Sequence, residues 1–166
     1  MTAQIAEKLH YQGEDLSICT TPLCDYFAMG GSHPPFEYRY TALWRGYVGS
    51  WEIVNDRLYL IGLSGRLRDG AMLTLATIFP DYPDRVFAHW YSGTMRIPKG
   101  KLIEYVHMGF SSTYERDLLI EVEQGLVLGT RVRDNGTAGP DHAAEGYKIG
   151  AVTVFHGTRN PGERST

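Results

Sequence analysis

Apolar and polar positions alternate with a period of two through TALWRGYVGSWEI, residues 41–53, and again through RLYLIGL, residues 57–63. That period belongs to strands. Leu43, Arg45, Tyr47, Gly49, Trp51 and Ile53 share one face of the first stretch. Between the two lies Asn55-Asp56, which suits the primed two-residue turns that match strand twist. The hairpin then sets Ile53 opposite Leu58 and Trp51 opposite Leu60 on one face. Glu52, Tyr59, Ser50 and Ile61 take the other. A slip of one residue would mix the faces, so this register is favoured.

Two further hairpins follow from similar patterns. One runs from about Phe87 to Met108 and turns at Pro98-Lys99-Gly100. Proline at the first corner and glycine in a left-handed position suit a type I turn with a glycine bulge. This places Met95 opposite Ile103, Thr94 opposite Glu104, and Tyr91 opposite His107. The other runs from about Tyr114 to Val132 and turns at Glu123-Gln124-Gly125. There Leu118, Ile120 and Val122 share a face with Leu126 and Leu128, and Asp117 falls opposite Arg131 as a surface ion pair.

Gly70 to Phe79 reads as a short helix stopped by Pro80. The first ten residues fit either a short helix or an edge strand. Pro34-Pro35 marks a loop. Residues 134–146 read as a flexible loop, Tyr147 to Phe155 as a last strand, and 160–166 as a frayed tail. The predicted fold is mainly β: one domain over 1–166, an antiparallel meander of hairpins with one or two short helices. A bent sheet, a sandwich and a partly open barrel all fit that pattern.

Composition changes this picture little. Among 166 residues, 19 glycines and 11 tyrosines favour strands and turns. A hydrophobic content of 43% supports a real core. The formal net charge of −3 argues against non-specific nucleic-acid binding, which needs a basic footprint. Two cysteines, Cys19 and Cys24, are too few for a disulfide framework or a four-ligand zinc site. The start of the chain lacks a basic n-region and an apolar h-region, and no apolar run approaches the ~20 residues of a membrane helix. A cytoplasmic location is expected.

Three blocks together, ALWRGYVGSWEI with RLYLIGL, FAHWYSGTMRIPKGKLIEYVHMGF, and YERDLLIEVEQG, resemble a group of small bacterial β-rich proteins. The resemblance covers roughly residues 9–135. It implies kinship and carries no activity, so it supplies no site residues.

Candidate chemistry therefore rests on the residues. Extending the first register outward brings Arg45 opposite Arg66. Two like charges in that position destabilise a sheet unless something anionic lies between them. A ligand phosphate would serve, since the guanidinium fork binds two oxygens. The alternatives are that pairing stops near Gly62, or that Arg45 pairs internally with a glutamate. On the second hairpin, Tyr91, His89, His107 and Tyr105 share a face, and histidine beside tyrosine could do acid–base work. Ser92 points away from His107 in that register, and no G-x-S-x-G elbow occurs. His156-Gly157-Thr158 resembles the NAD-contacting triplet of ADP-ribosyltransferases, but the strands and glutamate that should follow it have no room. Six histidines show no metal-ligand spacing, and Gly30-Gly31 opens no phosphate loop. No metal and no cofactor are expected.

The favoured reading is a non-enzymatic binding module for a small anionic, nucleotide-like ligand or a protein partner. Its binding residues would be Arg45, Arg66, Tyr47 and Arg96. The alternative is an enzyme, a hydrolase or transferase, with His107 and Tyr91 as acid and base. A homodimer through a sheet edge is compatible with either.

Overall fold

Strand propensity and alternation dominate the architecture, as the pattern predicts. The computed structural model describes residues 3–137. Eight strands form one mixed sheet: β1 (Glu7–Tyr11), β2 (Glu14–Ile18), β3 (Tyr47–Val54), β4 (Arg57–Gly65), β5 (Val86–Phe87), β6 (Gly93–Glu104), β7 (Thr113–Glu123) and β8 (Leu126–Asp134). Their order is β2-β1-β3-β4-β8-β7-β6, with β5 on β4. The sheet is not closed into a barrel. It bends until its two ends meet: Cys19 N–H donates to Arg96 O at 2.8 Å, and Arg96 N–H donates to Thr20 Oγ1 at 3.0 Å.

Two features depart from a plain antiparallel meander. The ambiguous N-terminal residues become β1, which lies parallel to β3 with Leu9 beside Trp51. Between β2 and β3 the chain forms α1 (Pro22–Ala28), with proline in its first turn, where a missing N–H costs nothing. The predicted helix at Gly70–Phe79 shrinks to α2 (Leu75–Ile78), capped by Thr74 and Thr77 and ending before Pro80.

The first hairpin turns at Asn55-Asp56, whose φ values of 52° and 58° make the primed turn. Trp51 faces Leu60 and Ile53 faces Leu58, as predicted. A bulge between Ser50 and Trp51 then shifts the register by one, so Ser50 faces Gly62 and Tyr47 faces Gly65. Both strands stop there. Arg45 and Arg66 do not oppose each other, and the predicted arginine pair is corrected.

The second predicted hairpin does not exist. β6 continues through Pro98-Lys99-Gly100 and pairs with β7 instead, Met95 facing Ile120 and Ile97 facing Leu118. Gly100 keeps its left-handed conformation, φ 84°, but spends it on a bulge rather than a reversal. β6 ends the strand order, where a proline lacking N–H is tolerated. The third hairpin exists, with a two-residue turn at Gln124-Gly125, φ 48° and 81°. The shorter turn and a bulge at Glu121/Val122 each shift the register by one and together set Asp117 opposite Arg133, not Arg131, and Asp117 is buried rather than on the surface.

The core lies on one face of the bent sheet and gathers Leu9, Ile18, Trp51, Leu58, Leu60, Met95, Ile97 and Ile120. The predicted loop at 134–146 starts later than expected, since Asp134 still belongs to β8. The predicted last strand, the tail and His156-Gly157-Thr158 lie outside the described residues.

Candidate functional site

Arg45 is answered first by the residue it touches. Its Nε and Nη2 donate to Glu7 Oε2 at 3.1 and 2.7 Å, and Nη2 also donates to Ile5 O at 2.9 Å. Gly49 N–H donates to the same oxygen at 2.6 Å, and Trp51 Nε1–H donates to Oε1 at 3.1 Å. Glu7 is fully buried. Burial pushes its carboxyl above the ordinary range, opposed by Arg45 and the two N–H donors. A Cβ on residue 49 would lie 2.5 Å from Glu7 Oε1, so glycine is the residue that admits the carboxylate. Tyr47, buried beneath this pair, has its hydroxyl 3.2 Å from Cys24 Sγ. Arg45 thus fastens β1 to β3, and Tyr47 is core.

Arg96 is likewise committed. Its Nε donates to Asp117 Oδ1 at 2.9 Å, and its Nη atoms donate to the carbonyls of Phe110 and Ser112, each at 2.7 Å. Arg133 and Asn135 also donate to Asp117. Burial works to raise the Asp117 carboxyl, but these hydrogen bonds together hold it below the usual carboxylate range.

Arg66 is placed differently. The segment after Pro34-Pro35 runs beside the end of β4: Phe36 bridges Leu67, and Glu37 N–H donates to Arg66 O at 2.8 Å. The chain then turns back through Tyr40 and Leu43 to Gly46, where φ is 80° and a Cβ would meet Phe36 Cβ at 2.7 Å. Between this loop and the strands is an open cleft of about 260 Å³. Val48 and Ser64, a cross-strand pair, contribute to its wall, with Leu43 and Met72 as further apolar lining. Glu37, Arg39, Tyr40 and Arg66 supply the polar groups. Glu37 Oε1 accepts from Arg39 Nε at 3.1 Å. Arg66 donates only a long contact, 3.4 Å, to Gly70 O, and among the described residues no carboxylate pairs with it.

Of the four predicted binding residues, then, Arg66 alone reaches the cleft. Sequence reasoning missed Glu37, Arg39 and Tyr40. The interleaving of charge and aromatics in FEYRY, residues 36–40, is the signal that could have found them.

The acid–base candidates are not brought together. Tyr91 is buried just before β6, and burial pushes its hydroxyl up to about 12. His107 lies beyond the far end of β6 and meets Tyr105, whose hydroxyl is 2.6 Å from Nδ1 on the surface. With no turn at residues 98–100, the whole of β6 separates them. Cys19 and Cys24 are free thiols, and burial pushes Cys19 up to about 11, which keeps it protonated and inert at neutral pH.

Comparison of the chain with family models, with curated proteins and with solved structures finds no match. Among the described residues no helix is long and apolar enough to cross a membrane.

Proposed function

We propose that this protein is a binding module whose ligand, a small anion with a flat or apolar body, sits in the cleft beside Arg66. The observation that carries this reading is the contrast among the arginines. Arg45 and Arg96 each hold a buried carboxylate, while Arg66 lies at an open cleft and pairs with no carboxylate among the described residues. A guanidinium in that position offers two parallel donors to a phosphate or carboxylate. Tyr40, Leu43, Val48 and Met72 offer the surface against which a ring or chain packs. The volume suits a compound of monosaccharide or nucleobase size rather than a dinucleotide. Free thiols fit the cytoplasmic location proposed for the chain.

A protein partner is the second reading. It is favoured by exposed Tyr38, Tyr40, Trp44 and Met72, residue types that dominate interface hot spots.

Thermal denaturation with nucleoside monophosphates and sugar phosphates tests the first reading. A ligand at about ten times its Kd adds about 1.4 kcal/mol of stability. Arg66→Ala should remove that gain without lowering the stability of the unliganded protein, because the side chain is exposed. If no such ligand stabilises the protein, the small-anion reading fails and the partner reading stands alone.

A further inference from the structure

The two buried carboxylates among the described residues have both oxygens hydrogen-bonded. Both oxygens of Glu7 accept hydrogen bonds, from Arg45, Gly49 and Trp51. Both oxygens of Asp117 do so, from Arg96, Arg133 and Asn135. Glu37, a partly exposed carboxylate, differs. Its Oε1 takes Arg39, but Oε2 is enclosed and has no hydrogen-bond partner, the one such side-chain atom among the described residues. An enclosed acceptor left unpaired is unfavourable, and more so when it carries charge. This exception is the carboxylate that lines the cleft.

From this we infer that the cleft recognises an amphoteric ligand, one that presents an amine or other N–H donor to Glu37 as well as an anionic group to Arg66. The inference rests on the cleft being the binding site. The two groups lie on adjacent segments, since Glu37 N–H donates to Arg66 O at 2.8 Å, so one small molecule can span them. Leu43, Val48 and Met72 require that the two polar ends be joined by an apolar body. An ω-amino acid or an aromatic amino-carboxylate has this form. The ligand's donor satisfies Glu37 Oε2 once the carboxylate turns that oxygen toward the cleft, and its acid completes the donor fork of Arg66. Glu37 then sets specificity, because a simple anion leaves Oε2 unpaired and meets the carboxylate's negative charge.

Two probes of nearly equal shape separate the claims: 4-(aminomethyl)benzoate, with both groups, and 4-methylbenzoate, with the acid alone. Binding to the full chain is followed by NMR titration. The expected result is that 4-(aminomethyl)benzoate binds about tenfold more tightly than 4-methylbenzoate. Glu37→Gln should bring that ratio close to one, while Arg66→Ala weakens both probes together. Equal binding of the two probes to the native protein, lost in Arg66→Ala, overturns the amphoteric inference and leaves the anion site standing. Failure of both probes to perturb cleft residues overturns the inference and the site. Unfolding of Glu37→Gln, read from the dispersion of its NMR spectrum, would make Glu37 a structural group and overturn its role in specificity. A preserved tenfold ratio in a folded Glu37→Gln would do the same.

Discussion

At the scale of single residues, two buried carboxylates organise this molecule, and they respond to pH in opposite senses. The Asp117 carboxyl in the folded chain lies below its unfolded value. Its stabilisation is therefore fully present above the ordinary carboxylate range and is lost as pH falls through the folded value. Glu7 lies above its unfolded value, so its contribution weakens as pH rises from the unfolded value through the folded one. Replacing Asp117 isolates its share. Asp117→Asn should cost about 2 kcal/mol at neutral pH, less than a fully buried pair because Arg133 is half exposed. The gap between variant and native protein should then close as the pH is lowered from about 5, measured by urea denaturation at successive pH values. A gap that stays constant with pH would show that the carboxylate charge is not what stabilises the native chain. Part of this was legible in the sequence. An arginine on a core-facing strand position demands a counter-charge, and an internal glutamate is one of its two solutions. Which glutamate could not be read, because Glu7 comes from a strand paired in parallel, and a parallel partner leaves no turn to fix its register.

Turns divide the element-scale expectations into those that hold and those that fail. Asn55-Asp56 fixed its hairpin because both residues tolerate the left-handed conformation that a primed two-residue turn requires. Asp56 nevertheless carries a Cβ at φ 58°, a conformation glycine adopts at lower cost. Asp56→Gly should therefore raise stability by about 0.5 to 1 kcal/mol. Its backbone carbonyl, which accepts from Val127 N–H at 2.8 Å, is retained. A lower thermal midpoint in the variant would mean that the Asp56 side chain outweighs the backbone strain. Pro98-Lys99-Gly100 has equally good turn chemistry and yet makes no turn. Glycine at positive φ serves a bulge as well as a reversal, and the sequence around it does not say which. The bulges at Ser50/Trp51 and Glu121/Val122 were invisible for a related reason. The extra residues are Ile61 on β4 and Leu128 on β8; on β4 the core-facing positions pass from Leu58 and Leu60 to Leu63, a change of parity that a strict period of two reads over.

Over the whole molecule, the fold class was legible and the contact between the two ends of the sheet was not. Alternation and glycine content specify a mainly β chain. They do not specify that the end of β2 reaches β6. That seam has a direct test. Thr20→Val removes the acceptor for Arg96 N–H while keeping the shape of the side chain, and should cost about 1 kcal/mol. Hydrogen exchange at the Arg96 amide should accelerate more than exchange at Ile120 in the centre of the β6–β7 pair. Uniform acceleration would mean that the seam and the sheet open together. The cleft escaped sequence reasoning for a similar reason, since the loop at 37–46 and the outer ends of β3 and β4 meet only once the sheet is assembled.

The contact between Glu7 and its partners also sets an order in time. Its carboxylate precedes Arg45 by 38 residues and Trp51 by 44. At about 5–20 residues per second, synthesis leaves roughly two to nine seconds between the first and the last of these groups. During that interval the β1–β2 hairpin is complete in sequence, but burying its inner face would strand a negative charge away from water. A lone two-stranded hairpin is marginal even without that penalty. Burial of Glu7 therefore waits for β3, the segment that brings the glycine and the tryptophan just after the arginine.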